Sequence, residues 1–172
     1  ELEHLIAVSG ISTLVFEDRV LKTDFAAMLV GLEPDILHGA PRTLSSRKFP
    51  FLRHFVRLDG LTGVCDNDDS RTADIAAYEC WETFIRSGQN VAEAIVEARA
   101  AAVTPAEAGG LFFSSGTTSL PKGILHAQRA FAIQWWRWPR VLAVREPARA
   151  WTGNGFFWSG NISMIVGVAL ST

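Results

Sequence analysis

Apolar positions along the chain switch repeatedly between helical and strand periods. Leu2, Leu5 and Ile6 share one helical face, which Ser9-Gly10 closes, and Ile11–Phe16 reads as a buried strand. Thr23 or Asp24 is placed to cap a helix with the stripe Phe25, Met28, Leu29 and Leu32, ended by Pro34. After a polar, basic loop from Pro41 to Pro50, Phe51–Leu58 reads as a second strand. Ala77, Tyr78, Trp81, Phe84 and Ile85 form a helical stripe stopped by Ser87-Gly88, and Val91, Ile95, Ala98 and Ala102 form another. Thr104-Pro-Ala-Glu107 has the form of a capping box with proline at the first helical position. Gly109-Gly110 should stop that helix within a turn, and an apolar strand then begins at Leu111. Beyond it, the pattern predicts a short strand over Ile124–His126. A helix follows over Gln128–Trp138, apolar around most of its circumference and therefore expected to be buried, with Pro139 breaking it. A strand over Trp151–Trp158 and a helix over Ile162–Leu170 complete the series. Alternating helices and strands predict an α/β fold, a layered sheet flanked by helices.

Composition narrows this picture. With 48% hydrophobic and 20% charged residues among 172, the chain can bury a core and is not a disordered segment. Its longest apolar run, Ile162–Leu170, is too short to span a bilayer, so no transmembrane segment is expected. Cys65 and Cys80 lack C-x-x-C spacing, which predicts reduced thiols and a cytoplasmic protein rather than a disulfide framework or zinc site. The acidic run Cys65–Ser70 lacks the glycine and distal glutamate of a calcium loop and reads as a turn capping the next helix, so no metal site is assigned. The net charge of −2 is uneven: from residue 110 onward, six basic residues face Glu146 alone. A basic half suits a nucleotide ligand, and equally a solvated surface. Trp135, Trp136 and Trp138, interleaved with Arg137 and Arg140, read as core rather than as a nucleic-acid stacking platform.

One stretch carries specific chemistry. Leu111-Phe-Phe-Ser-Ser-Gly-Thr-Thr-Ser-Leu-Pro-Lys-Gly123 runs from an apolar strand into a loop of hydroxyls and closes on a lysine between proline and glycine. Backbone N–H groups and hydroxyls supply short-range donors, the lysine a mobile positive charge, and Gly116 a close backbone approach, a combination suited to a triphosphate. It is not the common P-loop, because Pro121 stands where the second glycine would be.

The segment Ser114–Gly123 resembles the phosphate loop of the adenylate-forming superfamily, which includes acyl- and aryl-CoA synthetases, luciferases and nonribosomal adenylation domains. Family members typically read Thr-Ser-Gly-Thr-Thr-Gly-x-Pro-Lys-Gly. Ser114 keeps the usual hydroxyl. Ser119 replaces a glycine, at a cost of about 1 kcal/mol if that position needs φ > 0. The segment Asn154–Gly160 is similar to the family's next motif, which lines the acyl or aryl pocket, with Trp158 where histidine is frequent.

The resemblance implies that 1–172 is part of an N-terminal AMP-binding domain. Its phosphate loop is at 111–123, its acyl-pocket-like segment at 154–160, and the C-terminal domain is absent. It implies ATP binding by Ser114, Ser115, Gly116, Thr117, Thr118, Ser119, Lys122 and Gly123, with Lys122 and Thr118 acting in catalysis. Phe157, Trp158 and Gly160 would contact the acid. Mg²⁺ would be held mainly by the ATP phosphates, and coenzyme A would be the co-substrate. The implied activity is that of an ATP-dependent acid–CoA ligase, placed in fatty or aryl acid metabolism. The alternatives are an adenylation domain loading a carrier protein, and a non-catalytic α/β domain binding a nucleotide or partner. Gln128 stands where relatives carry histidine; His126 reads as structural, and His4, His38 and His54 receive no role. Neither the Tyr-Gly-x-Thr-Glu element nor the ribose-binding aspartate motif is found, and no nucleic-acid partner is expected.

Overall fold

A computed structural model of the chain describes residues 1–58, 77–114, 120–145, 147–155 and 157–172. The expected acidic turn at Cys65–Ser70 lies outside them. The fold is mixed α/β, with small parallel and antiparallel sheets flanked by helices. The chain divides into two compact units, Glu1–Glu97 and Ala98–Thr172.

In the first unit, helix α1 (Leu2–Ser9) leads into strand β1 (Thr13–Glu17). A short antiparallel ladder follows, β2 (Arg19–Val20) with β3 (Thr23–Asp24), which the hydrophobic pattern did not predict. Asp24 is the cap of α2 (Phe25–Leu32): its carboxylate accepts from the Ala27 N–H at 2.9 Å. That bond, and then Arg19, hold the carboxyl below the usual range for aspartate. Pro34 does more than close α2, for it opens a 3₁₀ turn over Pro34–Leu37. Strand β4 (His54–Leu58) runs parallel to β1, with Val15 opposite Val56, and β5 (Tyr78–Cys80) runs parallel to β4, with Val56 opposite Glu79. The sheet order is β1-β4-β5. Ile6, Leu29, Ile36, Phe49, Leu52 and Phe55 pack the core on this sheet.

Strand β5 corrects the helix expected to include Ala77 and Tyr78: the helix, α3, starts only at Trp81 and runs to Gly88. A cluster of buried Glu79 and His54 with exposed Arg42 holds the strand in place. Glu79 accepts two hydrogen bonds from the Arg42 guanidinium, at 2.9 and 3.2 Å, and meets Nε2 of buried His54. Burial pushes the Glu79 carboxyl up, but the Arg42 and His54 hydrogen bonds and charges outweigh it and leave the group below its ordinary value. Cys80 is disulfide-bonded, against the expectation of reduced thiols, so cysteine usage gives no support to a reducing compartment.

Helix α4 spans Glu93–Ala102. The expected helix after Thr104 does not form. The Thr104 hydroxyl bonds the Glu107 side chain at 3.1 Å in a turn, and strand β6 (Ala108–Ser114) starts at once, with the two glycines inside it. Strand β7 (Lys122–Ala127), longer than predicted, pairs antiparallel with β6. Helix α5 (Gln128–Val141) then continues through Pro139 instead of breaking there. A proline cannot donate to the carbonyl four residues back. That carbonyl, on Trp135, instead accepts from the Ser171 hydroxyl at 3.0 Å. Nor is α5 buried all round: Arg129, Ile133, Trp136, Arg137 and Arg140 form one exposed face, with Trp136 61% exposed. Arg140 stacks on the Trp136 ring at 4.3 Å.

No strand forms among the described residues of 151–158. The chain instead turns, with the Asn154 N–H donating to the Thr152 hydroxyl at 3.1 Å. The terminal helix is built from α6 (Ser159–Asn161), a π-helical turn (Ile162–Val166) and α7 (Gly167–Ser171). Among the described residues, no helix is long and apolar enough to cross a membrane.

Candidate phosphate-loop hairpin and acid cleft

The β6–β7 ladder sets the two strand ends between which the candidate phosphate-loop residues run. Its register places Phe112 opposite Ile124, Phe113 opposite Gly123 and Ser114 opposite Lys122. Ser114 and Lys122, the last residue of β6 and the first of β7, are thus brought face to face at the loop end of the hairpin, with Lys122 exposed. Ser115, Gly116, Thr117, Thr118 and Ser119 lie outside the described residues.

Alternation along the strands puts Phe112 and His126 on one face, as diagonal neighbours across the ladder. Their rings meet edge-on at 5.5 Å, and Phe131 of α5 lies 6.1 Å from Phe112 and 6.2 Å from His126. Gly110 makes this packing possible. A Cβ there would stand 2.7 Å from the Phe131 ring, so any side chain would push α5 off the sheet. At Gly167 a Cβ would stand 1.9 Å from the Trp135 indole, which therefore packs directly against the helix backbone. The Trp135 Nε1–H is buried there and has no hydrogen-bond partner among the described residues.

Between this aromatic group and the start of α6 lies a cleft of about 280 Å³. Phe112, Ala130, Phe131 and Trp138 give it apolar walls; His126, Gln134 and Ser159 add polar groups, and Gly160 and Ser163 complete the lining. Gly160 is therefore in the cleft wall. Phe157 and Trp158 are exposed, 76% and 62%, and are not among its lining residues. Asn161 was missed by the sequence reading, although it directly follows the Ser159-Gly160 pair. It is buried, and its amide donates to the carbonyls of Asn154 at 3.2 Å and Gly155 at 3.4 Å, fastening the 154–155 turn to the start of α6. His126 and Gln134 were also missed as site residues. Their only sequence signal was helical and strand phase relative to Phe112 and Phe131.

No family model matches the chain. Over 93 residues it is 37% identical to the 3-[(3aS,4S,7aS)-7a-methyl-1,5-dioxo-octahydro-1H-inden-4-yl]propanoyl:CoA ligase of Mycobacterium tuberculosis, a match covering 53% of this chain and 15% of that protein. Over 127 residues it is 25% identical to the "Putative acyl-CoA synthetase YngI" of Bacillus subtilis, covering 73% of this chain and 21% of that protein. Both matches are to proteins named as a CoA ligase or an acyl-CoA synthetase. They span about a fifth or less of these curated relatives' length.

Proposed function

We propose that the chain is part of the N-terminal region of an adenylate-forming acid–CoA ligase. The observation that carries this reading is the Ser114–Gly123 sequence, framed by a hairpin that sets Ser114 against Lys122. The names of the two relatives support the ligase class and favour coenzyme A over a carrier protein as acceptor.

In this reading a carboxylate oxygen of the acid attacks the α-phosphorus of ATP, and the bond to pyrophosphate breaks. Negative charge grows on the leaving group. Donors at Ser114, Ser115, Gly116, Thr117, Thr118 and Ser119 stabilise it through N–H and hydroxyl groups, with Gly123 allowing close approach. Lys122 and Thr118 act where that charge is greatest. The coenzyme A thiolate then attacks the acyl carbon of the acyl-adenylate, releasing AMP. Mg²⁺ would neutralise phosphate charge. The ion would be held mainly by the phosphates themselves, since Mg²⁺ keeps several waters and takes few protein ligands. The cleft beside the hairpin is proposed to take the acid, with Gly160 in its wall and Phe157 and Trp158 as flanking contacts.

The test is acid-dependent release of pyrophosphate and AMP by the full-length gene product, over a panel from acetate to palmitate and benzoate, with the thioester read by mass. Turnover of ATP to AMP with thioester formed is expected. Absence of AMP and pyrophosphate with every acid would overturn the reading.

A further inference from the structure

The acid cleft has a chemistry that points to a narrower class of acid. Phe112, Phe131 and Trp138 line it with aromatic rings, surfaces against which a flat or compact ring packs better than a flexible chain. At about 280 Å³ the cleft sits at the small end of ligand sites. Its polar groups are the more telling feature. The Ser163 hydroxyl is already committed to the Gly160 carbonyl at 3.2 Å. The Gln134 amide, the His126 ring nitrogens and the Ser159 hydroxyl line the same cleft and make no hydrogen bond among the described residues. An alkyl chain laid against them would strip their water and return nothing. A carbonyl or hydroxyl on the ligand would satisfy them, and an amide such as Gln134 can serve either, since it both donates and accepts.

We propose that this cleft selects compact, ring-bearing carboxylic acids that carry an oxygen substituent on the ring, and that Gln134 is the residue that reads that oxygen. The inference rests on the ligase reading above. A site built to hydrogen-bond a substrate group discriminates strongly against the analogue lacking it, because its own polar atoms are then left unpaired.

The experiment uses the full-length protein and three acids of equal carbon count: 3-(4-oxocyclohexyl)propanoate, 3-cyclohexylpropanoate and nonanoate. The expected order of kcat/KM is keto-ring, plain ring, straight chain, with about a tenfold or greater step between the first two. Gln134→Leu should bring the keto-to-plain ratio close to one, and Gln134→Asn should retain part of it, with melting temperature checked for each variant. A merely structural Gln134 would lower both ring acids together and leave their ratio unchanged, and that result overturns the proposal. Preference for nonanoate or palmitate over the ring acids also overturns it while leaving the ligase reading standing. Failure of every acid on the wider panel removes the ligase reading and this inference with it.

Discussion

At the scale of single residues, the fold shows where a side chain is demanded and where it is forbidden. Lys122 sits exposed at the first position of β7 and contributes to no core contact, so its proposed work is done only when phosphates are present. Lys122→Ala in the full-length protein should leave the melting temperature within about 2 °C, a surface change being worth at most about 0.5 kcal/mol. Pyrophosphate exchange should fall by about two orders of magnitude, the scale of losing one charge-stabilising donor. A variant that melts early yet exchanges normally would make Lys122 structural. Gly167 shows the opposite constraint. A methyl group there overlaps the Trp135 indole, and relief requires moving either the ring or the helix. Gly167→Ala should cost about 1–3 kcal/mol or more in chemical denaturation, as overpacking does. Unchanged stability would mean that the ring moves away without loss.

At the scale of elements, sequence period was a good guide wherever one face of an element is apolar. Helices α1 and α2 and strands β1 and β4 lie within a residue or three of their expected positions, because Ile6, Leu29 and Phe55 bury the stripes that marked them. Strand β5 was illegible because Tyr78 and Trp81 fall on a helical stripe and the residue that decides it is charged. Glu79 is buried in a strand only because Arg42 and His54, distant in sequence, compensate it. The continuation of α5 through Pro139 was hidden for a like reason: the carbonyl freed by the proline finds its donor on Ser171. At the site, the loop motif and Gly160 were legible as pattern, whereas His126 and Gln134 acquire meaning only from the cleft that three elements enclose. The Glu79 cluster yields a prediction with a definite sign. Its carboxyl is lower in the folded state, so its contribution is fully present above the ordinary value of 4.5 and is lost as pH falls through the lower, folded value. Glu79→Gln should destabilise the protein by about 1–3 kcal/mol at neutral pH and flatten the stability profile below about pH 4.5. Urea midpoints measured across pH 3 to 7 test both parts. A variant with the parent's acid slope would remove Glu79 from that role.

At the scale of the whole molecule, the chain holds the β6–β7 hairpin that flanks the proposed phosphate loop and a cleft within Ala98–Thr172, and a parallel-sheet core within Glu1–Glu97. Adenylation needs more than these. The attacking carboxylate, the α-phosphorus and the leaving oxygen must be held in line, and most of the rate comes from fixing that geometry. Donors around the β- and γ-phosphates leave the adenine and ribose free to rotate, and neither a Tyr-Gly-x-Thr-Glu element nor a ribose-binding aspartate motif occurs in these 172 residues. The 172-residue chain on its own should therefore run acid-dependent ATP–pyrophosphate exchange at background, whatever acid is supplied. The same assay on the full-length gene product should rise well above it, which separates an incomplete site from a wrong assignment. Robust exchange by the chain alone would mean that residues within 1–172 also orient the nucleoside, and the division of labour proposed for the loop and the cleft would have to be redrawn.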